Sequence, residues 1–151
     1  MIEIDIAPVD TVTDELQAGF ERLVSQLTIN HPSPTREELS EMINSETSST
    51  LIARIRDTDR TIVGTLTLIT YRVPTGIRAR IEDVIVDEPF RKQGIGKALV
   101  LSALKMAQNA GAEGVALTSN PQRTEANNLY QRMGFKRWET NLYFYKFENK
   151  Q

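Results

Sequence analysis

A short basic segment with two glycines holds the residues of this sequence best suited to bind an anion. It runs from Arg91 to Lys97 and contains Lys92, Gly94 and Gly96. A strand-like run precedes it and a helix-like run follows it, so its last amides lie where helix N–H groups lack internal partners and the helix dipole is positive. A phosphate fits such a turn because glycines let the ligand approach the backbone. The sequence therefore predicts an anion site here.

Two common nucleotide-phosphate motifs do not fit this segment. A Walker loop would need glycine in place of Arg91 and a hydroxyl residue in place of Ala98, and a dinucleotide fingerprint would need glycine or alanine in place of Leu99. A purely structural interpretation is also open, because two glycines can simply shape a tight strand-to-helix turn. Basic side chains at a helix start oppose the dipole, however, and a bound anion would compensate them.

Composition restricts the class of protein to which the chain can belong. Its 151 residues, 40% hydrophobic and 25% charged, indicate one globular domain over residues 1–151. A net charge of −2 gives no overall positive field for nucleic acid. The absence of cysteine and the single histidine, His31, argue against a metal site. No apolar run is long enough to span a membrane and the acidic N-terminus is unlike a secretory signal, so we expect a cytoplasmic protein.

Hydrophobic spacing predicts the elements that precede the glycine turn. Alternating isoleucines indicate a strand that ends near Pro8, and helical spacing indicates two helices, the second with a capping box from Thr35 to Glu38. Three runs rich in β-branched residues then predict an antiparallel meander. The predicted elements are a strand 2–8, helices 14–27 and 35–44, and strands 50–56, 61–71 and 77–86.

The elements after the turn predict a mixed sheet. A helix is followed by a short apolar run, and a strand–helix–strand order implies a parallel crossover. The aromatic residues of the tail alternate as in a strand that packs on the core, which argues against a base-stacking surface. The predicted elements are a helix 96–110, a strand 115–118, a helix 123–133, and strands 135–138 and 142–147. Together they predict one α/β domain.

Two motifs resemble the GNAT superfamily of N-acetyltransferases. Arg91–Gly96 has the spacing R-x-x-G-x-G of its acyl-coenzyme-A-binding signature, and strand 81–86 is similar to its central strand. Ala126–Phe135, with Tyr130 four residues after the alanine and a final Gly-Phe, resembles a later helix of the family. The resemblance covers about residues 77–135. It implies an α/β (α+β) fold with a mixed, mostly antiparallel sheet of about six to seven strands and about four flanking helices.

The resemblance also implies a cosubstrate, acetyl-coenzyme A, and the composition leads us to expect no metal. It places the pyrophosphate on the amides of Lys92 to Lys97 and the pantetheine arm beside the strand that precedes them. Family members often carry asparagine where this chain has Arg123, with Asn120 three residues upstream, so the roles of these two residues stay open. The implied coenzyme-binding residues are Val84, Ile85, Val86, Arg91, Lys92, Gln93, Gly94, Ile95, Gly96, Lys97 and Asn127.

The implied reaction is attack of a primary amine on a thioester. An alkylammonium with a pKa of about 10 must first lose a proton, and the resemblance makes Glu82 the first candidate base. Asp83 is the alternative: alternation along a strand turns only one of the two toward the cleft, and a bulge could change which one. Tyr130 matches the acid that protonates the departing thiolate, although a tyrosine at helical spacing can also be a core residue.

The expected function is an N-acetyltransferase that moves an acetyl group from acetyl-coenzyme A to a primary amine, on a small molecule or a peptide, within a ternary complex. The alternative is an acyl-coenzyme-A-binding sensor or regulatory module without catalysis. We expect partners to be acetyl-coenzyme A and the amine acceptor, not nucleic acid or membrane. Dimers are common in the superfamily, so a homodimer that uses the aromatic C-terminal strand is also consistent with the resemblance.

Overall fold

The computed structural model describes residues 2–149, which fold into four α-helices, a short 3₁₀ turn and one sheet. All four predicted helices and the antiparallel meander are confirmed, with ends that differ by a few residues. The capping box that opens the second helix is present. The elements are β1 Ile4–Pro8, α1 Asp14–Leu27, α2 Arg36–Asn44, β2 Ser48–Ile55, β3 Ile62–Val73, β4 Gly76–Val86, the 3₁₀ turn Glu88–Phe90, α3 Ile95–Asn109 and α4 Thr124–Arg132.

The sheet has the order β1-β2-β3-β4, and each neighbouring pair is antiparallel. Four strands form within residues 2–149, so the expected number of six to seven is wrong for this structure. The predicted strand 115–118 is reduced to a single parallel bridge between Arg80 and Ala116. Its direction agrees with the predicted crossover, but no ladder continues from it.

The two predicted tail strands are absent from the structure, and residues 135–149 have no regular secondary structure. The aromatic side chains expected on the core are instead exposed, with Trp138 at 80% and Tyr143 at 88%. Alternation of aromatic residues is a local signal, whereas a strand exists only through pairing with a neighbour. Helix α4 and this tail form a compact unit, Ser119–Gln151, separate from the unit Met1–Thr118 that contains the sheet.

Helices cover both faces of the sheet in the first unit. Leu16, Phe20 and Leu23 of α1 and Leu39 of α2 form a buried cluster with Ile52, Ile62 and Ile85 of the sheet. On the opposite face α3 packs so close to β3 that a Cβ added at Gly64 would lie 3.1 Å from Leu99 Cδ1. The two helical layers hold β4 and the start of α3 in place.

Within residues 2–149, no helix is both long enough and apolar enough to cross a membrane.

One buried hydroxyl in this core lacks a hydrogen-bond partner. Thr50 is 1% exposed, and its Oγ1 has no partner within the described residues. Thr65, on the neighbouring strand, is equally buried, but its hydroxyl donates to the carbonyl of Leu51 at 2.9 Å. A buried polar group without a partner destabilises the folded state, whereas a bonded one does not.

Thr50→Val is therefore predicted to raise the free energy of unfolding by about 1 kcal/mol, because it replaces an unpaired hydroxyl with a methyl of similar size. The matched control Thr65→Val removes a satisfied hydrogen bond and should lower the free energy of unfolding by about 1 kcal/mol. Urea denaturation of the two variants measures both changes. A destabilised Thr50→Val would show that this hydroxyl has a partner in solution.

Candidate functional site

The outer edge of β4 is open where it approaches the glycine turn. β4 is the last strand of the sheet, and the Ile81 amide donates to the Ala116 carbonyl at 2.9 Å. From Glu82 onward, no strand within residues 2–149 covers this edge. Its backbone groups can therefore bind an extended ligand with the geometry of an added strand.

A β-bulge interrupts β4 at the same place. Thr67 lies opposite Glu82 and Thr65 lies opposite Ile85, so Asp83 and Val84 together face one residue of β3. Asp83 has a φ of 49°, in the left-handed region. The bulge considered from the sequence is thus present. An extra residue reverses the alternation of side chains, and it therefore places Glu82 on the same face as Ile85, toward α1 and α2.

The two candidate base residues have different surroundings. Glu82 accepts a hydrogen bond from Arg80 Nε at 3.2 Å, and its side chain is 41% exposed. Although Asp83 is exposed, desolvation by neighbouring protein atoms raises the pKa of its carboxyl, the negative charge of Glu82 raises it further, and His31 lowers it. His31 lies on the loop between α1 and α2, so this loop comes near the bulge. The interaction of His31 with Asp83 was missed from the sequence, because nothing in their spacing indicates it.

Two residues of the glycine turn have left-handed backbone conformations, and the turn leads directly into the N-terminus of α3. Lys92 and Gly94 have φ values of 63° and 83°, and α3 begins at Ile95, one residue earlier than predicted. Gly94 is the N-cap of α3 and has no side chain to bond the amides of the first turn. No atom lies within 4 Å of the position that a Cβ of Gly94 would occupy, so the turn is open at this point.

The side chains of the turn differ in how they are directed. Arg91 is turned toward the protein, since its Nε donates to the Val86 carbonyl at 2.9 Å and its Nη2 to Gln26 Oε1 at 3.4 Å. Lys92 and Lys97 are exposed, Gln93 is half-buried, and Ile95 is buried in the core. Arg91 is exposed as well, but its two hydrogen bonds brace the start of the loop, and the two lysines add positive charge to the surface of the loop.

An ion-pair network anchors the exit of β4 to α1. Asp87 is 6% exposed and accepts hydrogen bonds from Arg22 Nε at 3.1 Å and from Gln26 Nε2 at 2.8 Å. Its amide donates to the Val63 carbonyl at 2.8 Å. These residues could not be identified from the sequence, because their roles depend on contacts between distant parts of the chain. The network fixes the point at which the strand turns into the loop.

The second unit contains Tyr130, the candidate acid. Tyr130 is 7% exposed, and its ring meets Phe135 edge-to-face with centroids 5.7 Å apart. Burial raises the pKa of the Tyr130 hydroxyl, an effect that the positive charge of Arg123 partly offsets. The hydroxyl therefore stays protonated at neutral pH and can donate a proton.

Residues at the start of α4 hold one another in place. Asn127 Nδ2 donates to the Asn120 carbonyl at 2.9 Å and to the Arg123 carbonyl at 2.8 Å. Asn120 Oδ1 accepts a hydrogen bond from the Gln122 amide at 2.9 Å. The amide group of Asn127 is thus engaged in shaping the turn that leads into the helix.

The sequence of residues 13–135, which includes the open edge, the bulge, the glycine turn and Tyr130, matches the pattern of the Acetyltransferase (GNAT) family. The chain belongs to the GNAT family. Its fold agrees: a solved aminoglycoside acetyltransferase from an uncultured soil metagenomic sample, in complex with sisomicin, superposes with a TM-score of 0.80 over 97% of each chain at 21% identity. The resemblance inferred from the two motifs is confirmed.

Relatives within the GNAT family share shorter segments. A mycothiol acetyltransferase of Pseudarthrobacter chlorophenolicus is 39% identical over 51 residues, which cover 34% of this chain and 16% of that protein. A glucosamine 6-phosphate N-acetyltransferase of Trypanosoma brucei brucei is 33% identical over 84 residues, or 54% of this chain and 55% of that protein. The matching segments thus span less than two thirds of either relative.

The raised pKa of Asp83 makes stability depend on pH in a defined direction. An acid with a raised pKa in the folded state stabilises the fold when protonated and loses that contribution as pH rises through its folded-state pKa. Asp83→Asn should therefore be more stable than the wild type at pH 7, and its advantage should shrink as pH falls toward about 4. Asparagine also tolerates the left-handed backbone.

Urea denaturation at the two pH values measures the difference in the free energy of unfolding. Asp59→Asn, in the exposed turn between β2 and β3, removes the same charge away from the bulge and is the control. A difference between wild type and Asp83→Asn that stays constant with pH would contradict the assigned interaction.

Proposed function

We propose that residues 1–151 form a single N-acetyltransferase domain that transfers an acetyl group from acetyl-coenzyme A to a primary amine by direct attack in a ternary complex. The observation that carries the proposal is the arrangement of β4, whose outer edge has no partner strand within residues 2–149 beyond Glu82, followed by the N-terminus of α3, where nothing lies within 4 Å of a Cβ position at Gly94. It combines backbone groups for an extended arm with helix amides for a phosphate. The family match supports it, since it runs through both compact units.

The coenzyme is proposed to bind mainly through main-chain atoms. The pantetheine arm would lie along Val84 to Val86, where Ile85 contributes only its backbone because its side chain belongs to the core. The pyrophosphate would accept hydrogen bonds from amides between Lys92 and Lys97, with room provided at Gly94. Since Asn127 Nδ2 bonds two carbonyls, a coenzyme contact by Asn127 would use its Oδ1.

The proposed chemistry needs one proton acceptor and one proton donor. Glu82 accepts a proton from the ammonium of the acceptor, the free amine attacks the thioester carbon, the C–N bond forms, and the C–S bond breaks. Tyr130 then gives its proton to the departing thiolate, and the second proton that the nitrogen loses as it becomes an amide passes through solvent water and restores the Tyr130 hydroxyl. Arg80 supports the choice of Glu82 because it orients the carboxylate on the face toward α1 and α2. Asp83 is the second candidate base, since a raised pKa suits a proton acceptor.

The names of similar proteins favour a small-molecule acceptor. The sequence relatives include a mycothiol acetyltransferase and a glucosamine 6-phosphate N-acetyltransferase. We therefore propose a small-molecule amine in preference to a peptide.

The exposed aromatic residues of the tail support the homodimer that the family resemblance implies, because clustered apolar side chains on a surface often mark an interface.

Tyr130→Phe is predicted to lower kcat by about 100-fold, because general acid catalysis commonly contributes a factor of this size. The assay measures release of free thiol from acetyl-coenzyme A over a panel of small primary amines, and calorimetry measures coenzyme affinity, which should not change. Tyr143→Phe removes a hydroxyl from an exposed ring of the same unit and is the matched control. Unchanged turnover in Tyr130→Phe would remove this residue from the mechanism.

The same assay separates the two candidate bases. Glu82→Gln should lower kcat by about 100-fold, because general base catalysis commonly contributes a factor of this size, and Asp83→Asn should leave kcat within about twofold of the wild type. The reverse result would assign the base to Asp83. If the protein binds acetyl-coenzyme A and acetylates no amine in the panel, the sensor or regulatory function replaces the enzyme.

A further inference from the structure

The side chain of Gln26, in the last turn of α1, joins this helix to the start of the glycine turn. Its Nε2 donates to Asp87 Oδ1 at 2.8 Å. Its Oε1 accepts hydrogen bonds from the Glu88 amide at 2.9 Å and from Arg91 Nη2 at 3.4 Å. One amide group thus contacts the end of the strand, the 3₁₀ turn and the first residue of the glycine segment.

The chemistry of these three partners selects an amide. Asp87 offers a carboxylate that needs a donor, whereas the Glu88 amide and the Arg91 guanidinium need an acceptor. A glutamine supplies both, a glutamate supplies no donor when ionised, and a lysine or arginine supplies no acceptor. Gln26 is therefore matched to this position by hydrogen-bond type as well as by length.

Asp87, one of the three partners of Gln26, is itself held in place by several contacts. It is nearly buried, Arg22 Nε bonds its second carboxylate oxygen, and its amide is tied to the Val63 carbonyl of β3. Arg22 is itself held by the Ile62 carbonyl at 2.6 Å. Gln26 bonds both Asp87 and Arg91, so it links this fixed residue to the first residue of the loop that leads to Gly94.

We propose that Gln26 is a positioning residue for the coenzyme site: it holds the Glu88 amide and the Arg91 guanidinium in the orientation that lets the loop amides receive a pyrophosphate. The proposal rests on the proposed coenzyme-binding function. It assigns to α1 a role at the coenzyme site in addition to its role in the core. We assign Gln26 no direct contact with the coenzyme or the acceptor, because it acts through the loop.

The test compares Gln26→Met with Gln17→Met. Methionine has a similar length and none of the hydrogen bonds, and Gln17 lies on the same helix outside the network. Calorimetry with coenzyme A at a temperature where all variants are folded should show about a tenfold weaker Kd for Gln26→Met. The KM for acetyl-coenzyme A should rise by a similar factor while kcat stays within about twofold. Gln17→Met should match the wild type in each measurement.

Hydrogen exchange in the coenzyme-free protein gives a second readout. The amides of Glu88 and of the loop up to Lys97 should exchange faster in Gln26→Met, and Gln26→Glu should restore protection at Glu88 in part because its carboxylate still accepts. A Gln26→Met variant with a lower melting temperature but unchanged Kd, KM and loop exchange would overturn the proposal. A wild type that binds no coenzyme A, while Gln26→Met still speeds loop exchange, would refute the proposed function and leave the positioning of the loop established.

Discussion

The irregular backbone of β4 at Asp83 and Val84 is the constraint on which the rest of the candidate site depends. Parallel pairing with the segment around Ala116 ends just before the bulge, so the last part of β4 keeps an open edge. The bulge also turns Glu82 toward the side of α1 and α2. One extra residue in β4 thus accompanies an unpaired edge that can bind an extended ligand, and it determines the face of the sheet on which the Glu82 carboxylate lies.

Packing on both faces of the sheet compensates for the strained backbone at Asp83. Asp83 adopts a left-handed conformation that is unfavourable for a residue with a side chain, and its carboxyl is near that of Glu82. Ile85 of β4 packs against α1 on one face, and on the other face α3 packs against Gly64 of the neighbouring strand β3. The ion pair of Asp87 with Arg22 then anchors the exit of the strand, so the loop begins from a defined point.

Local signals in the sequence predicted local structure well. Helical spacing located all four helices, and the glycines and basic residues of the turn located the open start of α3. The tail strands were predicted wrongly, because alternation in residues 142–147 says nothing about whether a partner strand is present. The link between Gln26 and Asp87 could not be predicted, since the two residues are 61 positions apart and neither belongs to a recognisable motif. Glu82 and Tyr130 were located from family motifs, and their roles stay predictions.

The central claim is that main-chain amides of the glycine turn bind the pyrophosphate of coenzyme A. A titration of the ¹⁵N-labelled protein with coenzyme A, followed by amide chemical shifts, tests it most directly. The claim predicts that the largest shift changes occur at residues 92–97 and that they saturate together with changes along residues 84–86. Saturable binding with its largest changes elsewhere, and none at residues 92–97, would contradict it.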